Sequence, residues 1–358
     1  MIARRKTRRI RVGTVPVGGN APVSVQSMTN TVTADVRATV AQIRSLARAG
    51  CEIVRVAVPD AAAAKAFRRI KDRSPLPVIA DIHFDYRLAV ACADAGADGL
   101  RINPGNIGGE ERTREVLGAA QANGIPVRIG VNSGSLEKDI LSRYGGPTPE
   151  ALVASAARAV RLCEKARFHS VKFSLKASGA TTTVEAYRLF SRRFDYPLHV
   201  GVTEAGTLFS GTVKSSVGIG ILLADGIGDT IRVSLTGPPE EEVRVGWEIL
   251  KSLGLRQRGP EFVSCPTCGR VSIDVAGIAR EVERRLSDLS VPLKVAVMGC
   301  AVNGPGEARE ADVGVAGGKH EGLIFVRGEI MGKVKERDIA AELVRVARRL
   351  AGREGRTH

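Results

Sequence analysis

The feature that most constrains this chain is a rhythm of short apolar runs and helical stretches that repeats eight times before residue 256. Each unit has a β-branched apolar run, a loop with polar residues and a segment of helical periodicity that ends near glycine. Eight such units in roughly 230 residues predict an α/β fold, a (β/α)8 TIM barrel. The predicted strands are Val23–Ser27, Ile53–Val58, Val78–Ala80, Gly99–Ile102, Val127–Val131, Val171–Ser174, Leu198–Val202 and Thr230–Ser234.

A doubly wound open sheet is the alternative fold. It would need a glycine-rich phosphate fingerprint after its first strand, and the only early glycine pair, Gly18-Gly19, comes before that strand. The barrel is therefore predicted to span residues 1–256, with an N-terminal hairpin at residues 10–22. After a polar boundary, residues 257–352 predict a small α+β domain, and residues 353–358 a disordered tail.

The net charge of +15 raises the possibility of nucleic-acid binding, but only 4% of the residues are aromatic, so stacking platforms are scarce. A basic protein with a zinc-ribbon tail stays open as a non-enzymatic alternative, and it predicts binding that weakens steeply with salt. An anionic substrate or an acidic protein partner explains the charge equally well. No apolar run reaches the roughly 18–20 residues that cross a bilayer, so we expect a cytoplasmic protein without membrane contact.

The six cysteines fall into two groups. Cys51, Cys92 and Cys163 lie within predicted barrel elements and are expected to be small core residues. Cys265 and Cys268 form a C-x2-C pair, and Cys300 follows a short apolar run upstream of Glu307. Three thiols and a carboxylate at such positions indicate one soft metal centre, either zinc or an iron–sulfur cluster. Because no fourth cysteine or histidine other than His320 is nearby, the set suits a [4Fe–4S] cluster better.

Basic side chains lie within or at the ends of five predicted strands. In a barrel the carboxyl ends of the strands form the functional face, and buried charges need partners. Internal salt bridges to Glu52, Asp81, Asp98 and Glu204 would be one explanation. Convergence on a multiply charged anion such as a diphosphate is the interpretation that we favour, because arginine binds phosphate through bidentate hydrogen bonds. The five are Arg55, Arg101, Arg128, Lys172 and Arg232.

Three further residues at strand ends are candidates for a site. Asp81 and His83 follow the third predicted strand, where a histidine is well placed to contact a substrate. His199 lies inside a strand and is expected to be a core residue. Glu204 ends the seventh strand, and a carboxylate among cations can be tuned for proton transfer to a leaving oxygen. Glu204 is therefore the predicted general acid or base.

Seven segments of the chain carry family-specific motifs. They are Pro22–Thr29, Ala80–Phe84, Leu100–Asn106, Arg128–Leu136, Gly201–Gly206, Val263–Arg270 and Met298–Ala308. Together they resemble the bacterial 4-hydroxy-3-methylbut-2-enyl diphosphate synthases, in their two-domain form, and the resemblance covers almost the full length of the chain. It implies reductive dehydration and ring opening of 2-C-methyl-D-erythritol 2,4-cyclodiphosphate in the methylerythritol phosphate route to isoprenoids.

The resemblance also implies one [4Fe–4S] cluster per subunit, on Cys265, Cys268, Cys300 and Glu307. Family members are homodimers with shared active sites, in which the cluster domain of one chain covers the barrel mouth of the other. Flavodoxin or ferredoxin, both acidic carriers, would be the electron donor. The carboxylate of Glu307 would hold its iron less firmly than a thiolate and would give way to substrate.

The predicted polar residues fit this chemistry. The five cations would hold the cyclic diphosphate, Glu204 would protonate the departing oxygen, and a set of hydroxyl and amide side chains would direct hydroxyl and phosphate oxygens. That set is Asn103, Asn132, Ser174, Thr203, Ser234, Ser264 and Asn303. The alternative enzyme is a cluster-free barrel that acts on a phosphorylated small molecule and carries structural zinc, and the metal content separates the two.

Overall fold

The computed structural model describes residues 2–354, and the chain divides into two compact units at the junction between Arg256 and Gln257. The first unit begins with an antiparallel hairpin of β1 (Arg9–Val12) and β2 (Val15–Gly18). The turn of this hairpin contains Gly13, whose φ is +55°. Glycine adopts this left-handed conformation readily, whereas a residue with a side chain does not. These strands overlap the range predicted for a hairpin, residues 10–22.

Eight parallel strands follow and form the barrel. Their hydrogen-bonded order is β8-β7-β6-β5-β4-β3-β10-β9, and a parallel bridge between Phe173 and Leu198 joins the two ends. The predicted TIM barrel is therefore confirmed. The strands are β3 (Ser24–Met28), β4 (Ile53–Ala57), β5 (Val78–Asp81), β6 (Gly99–Ile102), β7 (Val127–Asn132), β8 (Val171–Lys176), β9 (His199–Val200) and β10 (Thr230–Ile231).

Nine helices of the first unit surround the barrel or connect its strands. Side-chain caps fix several of them: Asp35 and Thr148 accept hydrogen bonds from the first-turn amides of their helices. The helices are α1 (Val36–Ala49), α2 (Ala61–Lys71), α3 (Tyr86–Asp94), α4 (Glu110–Ala122), α5 (Lys138–Tyr144), α6 (Pro149–Lys165), α7 (Ala180–Ser191), α8 (Leu208–Ala224) and α9 (Pro239–Ser252). Within the described chain, no helix combines the length and the apolar character that a membrane crossing requires.

The hairpin covers the amino-terminal end of the barrel. Ile10, Val12 and Val17 pack with Ile53 and Ile79, which stand at the beginning of their strands. The main apolar core lies between the outward faces of the strands and the surrounding helices. The opposite end, where the strands finish, is therefore the end at which polar side chains can gather.

The second unit is a five-stranded mixed sheet with helices. The strands are β11 (Pro260–Ser264), β12 (Leu293–Met298), β13 (Val313–Gly318), β14 (Glu321–Val326) and β15 (Glu329–Lys335), ordered as numbered, with the first three parallel. The helices are α10 (Val275–Leu286), α11 (Gly304–Arg309) and α12 (Ile339–Glu354). The last helix includes the first two residues of the predicted tail, and residues 355–358 lie outside the described part of the chain.

Alternating residues of the sheet face different helices, as the two-residue period of a strand requires. Val295 and Val297 belong to the core that includes α10 and α12, whereas Ala296 and Met298 belong to another cluster. The Asn-Gly-Pro-Gly segment after Cys300 predicts an irregular loop, but the structure has the short helix α11 there. The local sequence pattern also does not predict the short helix α5 or the strands β11 and β15.

Candidate active site

Side chains from neighbouring strands converge inside the barrel because their residues are in register. Asp81 pairs with Arg101, Arg101 with Arg128, and Arg128 with Lys172, on four successive parallel strands. Residues paired in this way point to the same side of a sheet. All four side chains are buried, so the charges face the interior of the barrel. The structure therefore brings together the cations that the sequence predicted for one anion site.

Asp81 links two of these arginines. Its Oδ2 lies 3.1 Å from Arg55 Nε and its Oδ1 lies 3.1 Å from Arg101 Nη1. Burial alone would raise the pKa of Asp81, but the guanidiniums of Arg55 and Arg101 outweigh it and lower the pKa to about 2. Asp81 is therefore a carboxylate throughout the physiological range, and it fixes the position of both arginines.

His83 lies beside this pair of salt bridges. Its Nε2 is 3.9 Å from Asp81 Oδ2, and its side chain is partly exposed. Burial lowers the pKa of His83, more strongly than the nearby carboxylate raises it. The imidazole is therefore neutral near pH 7 and can both donate and accept a hydrogen bond at the barrel mouth.

Arg232 has a carboxylate partner that the sequence analysis did not foresee. Its Nη2 lies 3.0 Å from Glu242 Oε1, and Glu242 also accepts hydrogen bonds from Ser27 Oγ and the Leu235 amide. The sequence offered four acids as salt-bridge partners for the barrel cations, and among the described residues only Asp81 of these four pairs with them. Glu52 pairs with Arg256, Asp98 pairs with Lys71, and no ion pair of Glu204 is recorded within the described chain.

Three buried cations, Arg128, Lys172 and Lys176, form no ion pair with any carboxylate in residues 2–354. Arg128 Nε and Nη1 and Lys172 Nζ have no hydrogen-bond partner among the described residues. Lys176, four residues beyond Lys172 on β8, was not among the predicted substrate-binding residues. The alternation of Lys172, Ser174 and Lys176 along one strand was the signal for it, because every second residue points inward. Burial, and then Arg128, lower the pKa of both lysines, that of Lys172 to about 7.

The remaining predicted barrel residues lie at or just beyond the ends of strands. Asn103 is buried and donates its Nδ2 to Ser135 Oγ at 2.8 Å. The side-chain amide of Asn132 is oriented so that its nitrogen donates a hydrogen bond to Val131 O. Its oxygen then accepts a hydrogen bond from Arg101 Nη2 at 3.2 Å. Ser174 is buried in β8, and Thr203 and Ser234 are half-buried in the loops that follow β9 and β10. These groups offer neutral donors and acceptors near the cations.

Glu204 lies in the loop after β9, with an exposed side chain and a backbone φ of +51°. A residue other than glycine pays roughly 1–2 kcal/mol to adopt this left-handed conformation. The neighbouring backbone is tightly held: a Cβ on Gly201 would lie 2.3 Å from Arg232 O, so only glycine fits there. A strained residue next to a crowded strand end supports a functional role for Glu204.

The second unit places its three predicted thiol ligands around one cavity. Cys265 and Cys300 follow the neighbouring parallel strands β11 and β12, so both leave the same edge of the sheet. Together with Cys268 and Glu307 they line a cavity of about 320 Å³. The predicted residues Ser264 and Asn303 line it as well. Cys265 Sγ also accepts a hydrogen bond from the Gly299 amide at 3.2 Å.

The surroundings of two of these thiols favour the thiolate form. The backbone amide and the side chain of Arg270 lower the pKa of Cys268, and the backbone amides of Asn303, Val302 and Gly304 lower that of Cys300. Thiolates are the species that bind metals. The three other cysteines behave differently: they are buried as predicted, and burial raises the pKa of each to about 12.

The donor set fits an iron–sulfur cluster better than a single ion. Among residues 2–354, no three His, Cys, Asp or Glu side chains lie close enough to hold one metal ion. A cluster of four irons takes one ligand per iron, so its ligands surround a volume and do not meet at a point. His320, the only candidate for completing a zinc site, lines a different groove of about 890 Å³ with Lys319 and Glu336. A closed zinc site is therefore not favoured.

Two family models match the chain, the GcpE TIM-barrel domain over residues 7–247 and the GcpE protein C-terminal domain over residues 261–349. The chain belongs to the GcpE family. A relative from Geobacter sulfurreducens is 63% identical over 95% of this chain and 96% of its own length. A relative from Caldanaerobacter subterraneus subsp. tengcongensis is 58% identical over 99% of this chain and 100% of its own length. Both are named 4-hydroxy-3-methylbut-2-en-1-yl diphosphate synthase (flavodoxin).

Two solved structures share the fold of this member of the GcpE family at low sequence identity. A type I 3-dehydroquinate dehydratase from Clostridium difficile has a TM-score of 0.51 at 12% identity, covering 69% of this chain and 98% of its own. An N-acetylneuraminic acid synthetase from Leptospira borgpetersenii has a TM-score of 0.50 at 15% identity, covering 79% and 98%. At such low identity these similarities indicate a common fold and carry no information about the reaction.

Proposed function

We propose that this chain is a 4-hydroxy-3-methylbut-2-enyl diphosphate synthase, an iron–sulfur oxidoreductase of isoprenoid biosynthesis that takes electrons from flavodoxin. Its relatives carry that name over nearly the full chain. The substrate is 2-C-methyl-D-erythritol 2,4-cyclodiphosphate. The observation that carries the proposal is the excess of buried cations in the barrel, where Arg128, Lys172 and Lys176 form no ion pair with a carboxylate of the described residues. A multiply charged diphosphate is the ligand that compensates such an excess.

The barrel is the proposed substrate-binding domain. Asp81 positions Arg55 and Arg101, and Glu242 positions Arg232, so three guanidiniums are held ready for bidentate contacts with phosphate. Arg128, Lys176 and the deeper Lys172 supply further positive charge. The proposed neutral partners of the substrate's hydroxyl and phosphate oxygens are His83, Asn103, Asn132, Ser174, Thr203 and Ser234. Ser264 and Asn303 are proposed for the same role, and they line the cavity of the second unit.

The second unit is the proposed cluster domain. Cys265, Cys268, Cys300 and Glu307 would hold one [4Fe–4S] cluster per subunit, in the cavity that all four line. When bound, the cluster supplies the two electrons of the reaction one at a time. The carboxylate of Glu307 is a weaker ligand than a thiolate and would give way to substrate. An electronic spectrum of the cluster that stays unchanged when substrate is added would count against that exchange.

The reaction breaks the ring C–O bond to phosphate and a C–OH bond, and it forms one C=C bond. Two electrons enter, and one proton converts the departing hydroxide into water. The diphosphate is held by the cations throughout, and Glu204 is the proposed donor of the proton to the departing oxygen. Its placement on a strained strand-end loop supports this role. Free thiols on all six cysteines are consistent with a reducing compartment, the cytoplasm.

Anaerobic turnover of the cyclic diphosphate tests the proposal. The iron-loaded protein is expected to form the linear allylic diphosphate with reduced flavodoxin, and to contain iron and acid-labile sulfide without zinc. The same assay with reduced ferredoxin would show whether that carrier also serves. Protein that contains only zinc and does not consume the cyclic diphosphate would support the cluster-free alternative.

The proposal includes a homodimer with shared active sites. An apolar stripe runs along the exposed face of α8, where Phe209 is 83%, Val213 50% and Val217 49% exposed. Residues four apart lie on one side of a helix, so the three form a continuous patch. Monomeric proteins rarely expose such patches, which supports burial against a second copy of the chain.

Replacing Phe209 with glutamate is expected to shift the protein from dimer to monomer, because a charge within an apolar interface is costly to bury. Sedimentation velocity measures the change, and turnover should fall with it if the sites are shared. Gln121→Glu on α4 is the control, since Gln121 is exposed and lies away from the stripe. A monomeric wild-type protein with full activity would refute the dimer.

A further inference from the structure

The charges inside the barrel are unbalanced even after every ion pair is counted. Arg55, Arg101 and Arg232 contact the carboxylates of Asp81 and Glu242. Arg128, Lys172 and Lys176 are also buried, and no ion pair of theirs is recorded among the described residues. Burying a charge without a partner is strongly unfavourable. Some of these groups must therefore lose their charge when no anion is bound.

The groups that face Lys172 are almost all positive or neutral. Arg128 is its neighbour in register on β7, Arg55 acts on it from β4, and His199 lies on β9. Asp229 is the acid among the groups that act on it, but Asp229 is already paired with Arg4 at 3.0 Å.

Lys176 has a similar environment at the other end of β8. Arg128, Arg232, Arg55 and Arg101 act on it from four other strands or strand ends, and His199 lies near both lysines. Its Nζ lies against Gly201, since a Cβ there would be 2.8 Å from the ammonium nitrogen.

Arginine keeps its proton in proteins, whereas a buried lysine can release it. Lys172 is 1% exposed and Lys176 is 7% exposed, so water stabilises their charges only weakly. In the free barrel the two lysines are therefore the groups that lose their charge most readily. Burial lowers the pKa of Lys172 to about 7, so Lys172 is an amine near pH 8, and burial lowers the pKa of Lys176 as well. A bound diphosphate favours the protonated form of both lysines, because its negative charge stabilises each ammonium ion.

We propose that the barrel takes up protons at Lys172 and Lys176 when its anionic substrate binds, and thereby holds within the site the proton that ring opening consumes. The inference rests on the proposed function, because it takes the cyclic diphosphate as the ligand. The reaction balances in atoms and charge. The substrate dianion takes up two electrons from flavodoxin and one proton, and it gives the product trianion and one water. The lysines hold this proton inside the site, where Glu204, the proposed donor, can draw on it, and flavodoxin, as an electron carrier, need not deliver it.

Calorimetric titration of the iron-loaded enzyme measures the uptake. The cyclic diphosphate is added anaerobically without reductant at pH 8, in two buffers that differ in ionisation enthalpy. Each phosphorus of this ligand carries a single, strongly acidic proton, so the ligand itself does not titrate near pH 8. The slope of the binding heat against buffer enthalpy is expected to give uptake of about one to two protons, since two lysines have pKa values depressed by burial.

The matched variants are Lys172→Met and Lys176→Met, each expected to reduce the uptake by about one proton, because each removes one titrating amine. Lys165→Met is the control, since Lys165 is exposed at the end of α6. Methionine replaces a buried unpaired charge with an apolar chain of similar length, which generally preserves or increases stability. At pH 6 the wild-type uptake should shrink, because Lys172 is then already protonated.

The outcomes separate the inference from the proposed function. Binding heats that do not depend on the buffer would overturn the inference and leave the proposed function standing. Uptake that persists unchanged in both methionine variants would assign it to another group, such as His199, and would also overturn the inference. Absence of any binding heat would overturn the proposed function, and the inference with it. The wild-type slope decides the matter even if a variant fails to fold.

Discussion

Replacing Cys300 with serine is expected to abolish the iron centre and with it the turnover of the cyclic diphosphate. The Cys300 thiolate is stabilised by the backbone amides of Asn303, Val302 and Gly304, and it is one of three thiols at the cavity. A serine hydroxyl is not deprotonated near neutral pH and is a poor ligand for iron in a cluster. We expect turnover to fall by more than about 100-fold, because the loss of outer-shell partners alone costs 10–100-fold.

Iron and acid-labile sulfide per chain, together with the visible absorption of the anaerobically purified protein, measure the loss directly. Cys163→Ala is the matched control, because Cys163 is buried in α6 and burial keeps its thiol protonated. That variant should retain the wild-type iron content. Wild-type iron and turnover in the Cys300→Ser protein would remove this residue from the ligand set and would undermine the proposed cluster.

The second large effect is expected for Glu204→Gln, which should lower kcat by about 10²–10⁴-fold, the usual contribution of a positioned general acid. The amide keeps the size of the side chain but has no acidic proton to donate to the departing oxygen. KM should change by only a few-fold, since the buried cations hold the diphosphate. Steady-state kinetics with reduced flavodoxin in excess separates the two constants.

Glu111→Gln is the control for Glu204→Gln, because Glu111 is exposed in the first turn of α4, outside the proposed site. An unchanged circular dichroism spectrum and iron content would exclude misfolding as the cause of a low kcat. If kcat stayed within a factor of about two of the wild-type value, the proton would have to come from another group. The buried lysines of the barrel are then the next candidates.

The barrel could be predicted from the sequence because its strands are β-branched runs at regular spacing. The positions at which two of the strands end could not be predicted in this way. The seventh and eighth were predicted as Leu198–Val202 and Thr230–Ser234, whereas β9 and β10 each contain two residues. Val202 and Ser234 are apolar or small and fit a strand pattern, but the chain leaves the sheet there to form the loops of the barrel mouth.

The elements missed in the second unit had weak local signals. Helix α11 begins at Gly304 and contains Pro305 and Gly306, residues with low helix propensity. It forms because Ala308 packs against Ala316 and Phe325 of the sheet, a contact that the local sequence does not reveal. Strand β15 is mostly exposed at the sheet edge, so it lacks the apolar alternation that predicts a strand.

The sequence by itself predicted the barrel, the cations at its strand ends, and the three thiols with Glu307 as candidate site groups. These follow from local patterns, since period and spacing place a residue on a given strand and face. Only the tertiary structure decided which charges are paired. Asp81 holds both Arg55 and Arg101, Glu242 holds Arg232, and Lys172 contacts no carboxylate. Pairing depends on distances of about 3 Å between side chains of different elements, and such distances are set by strand neighbours and packing.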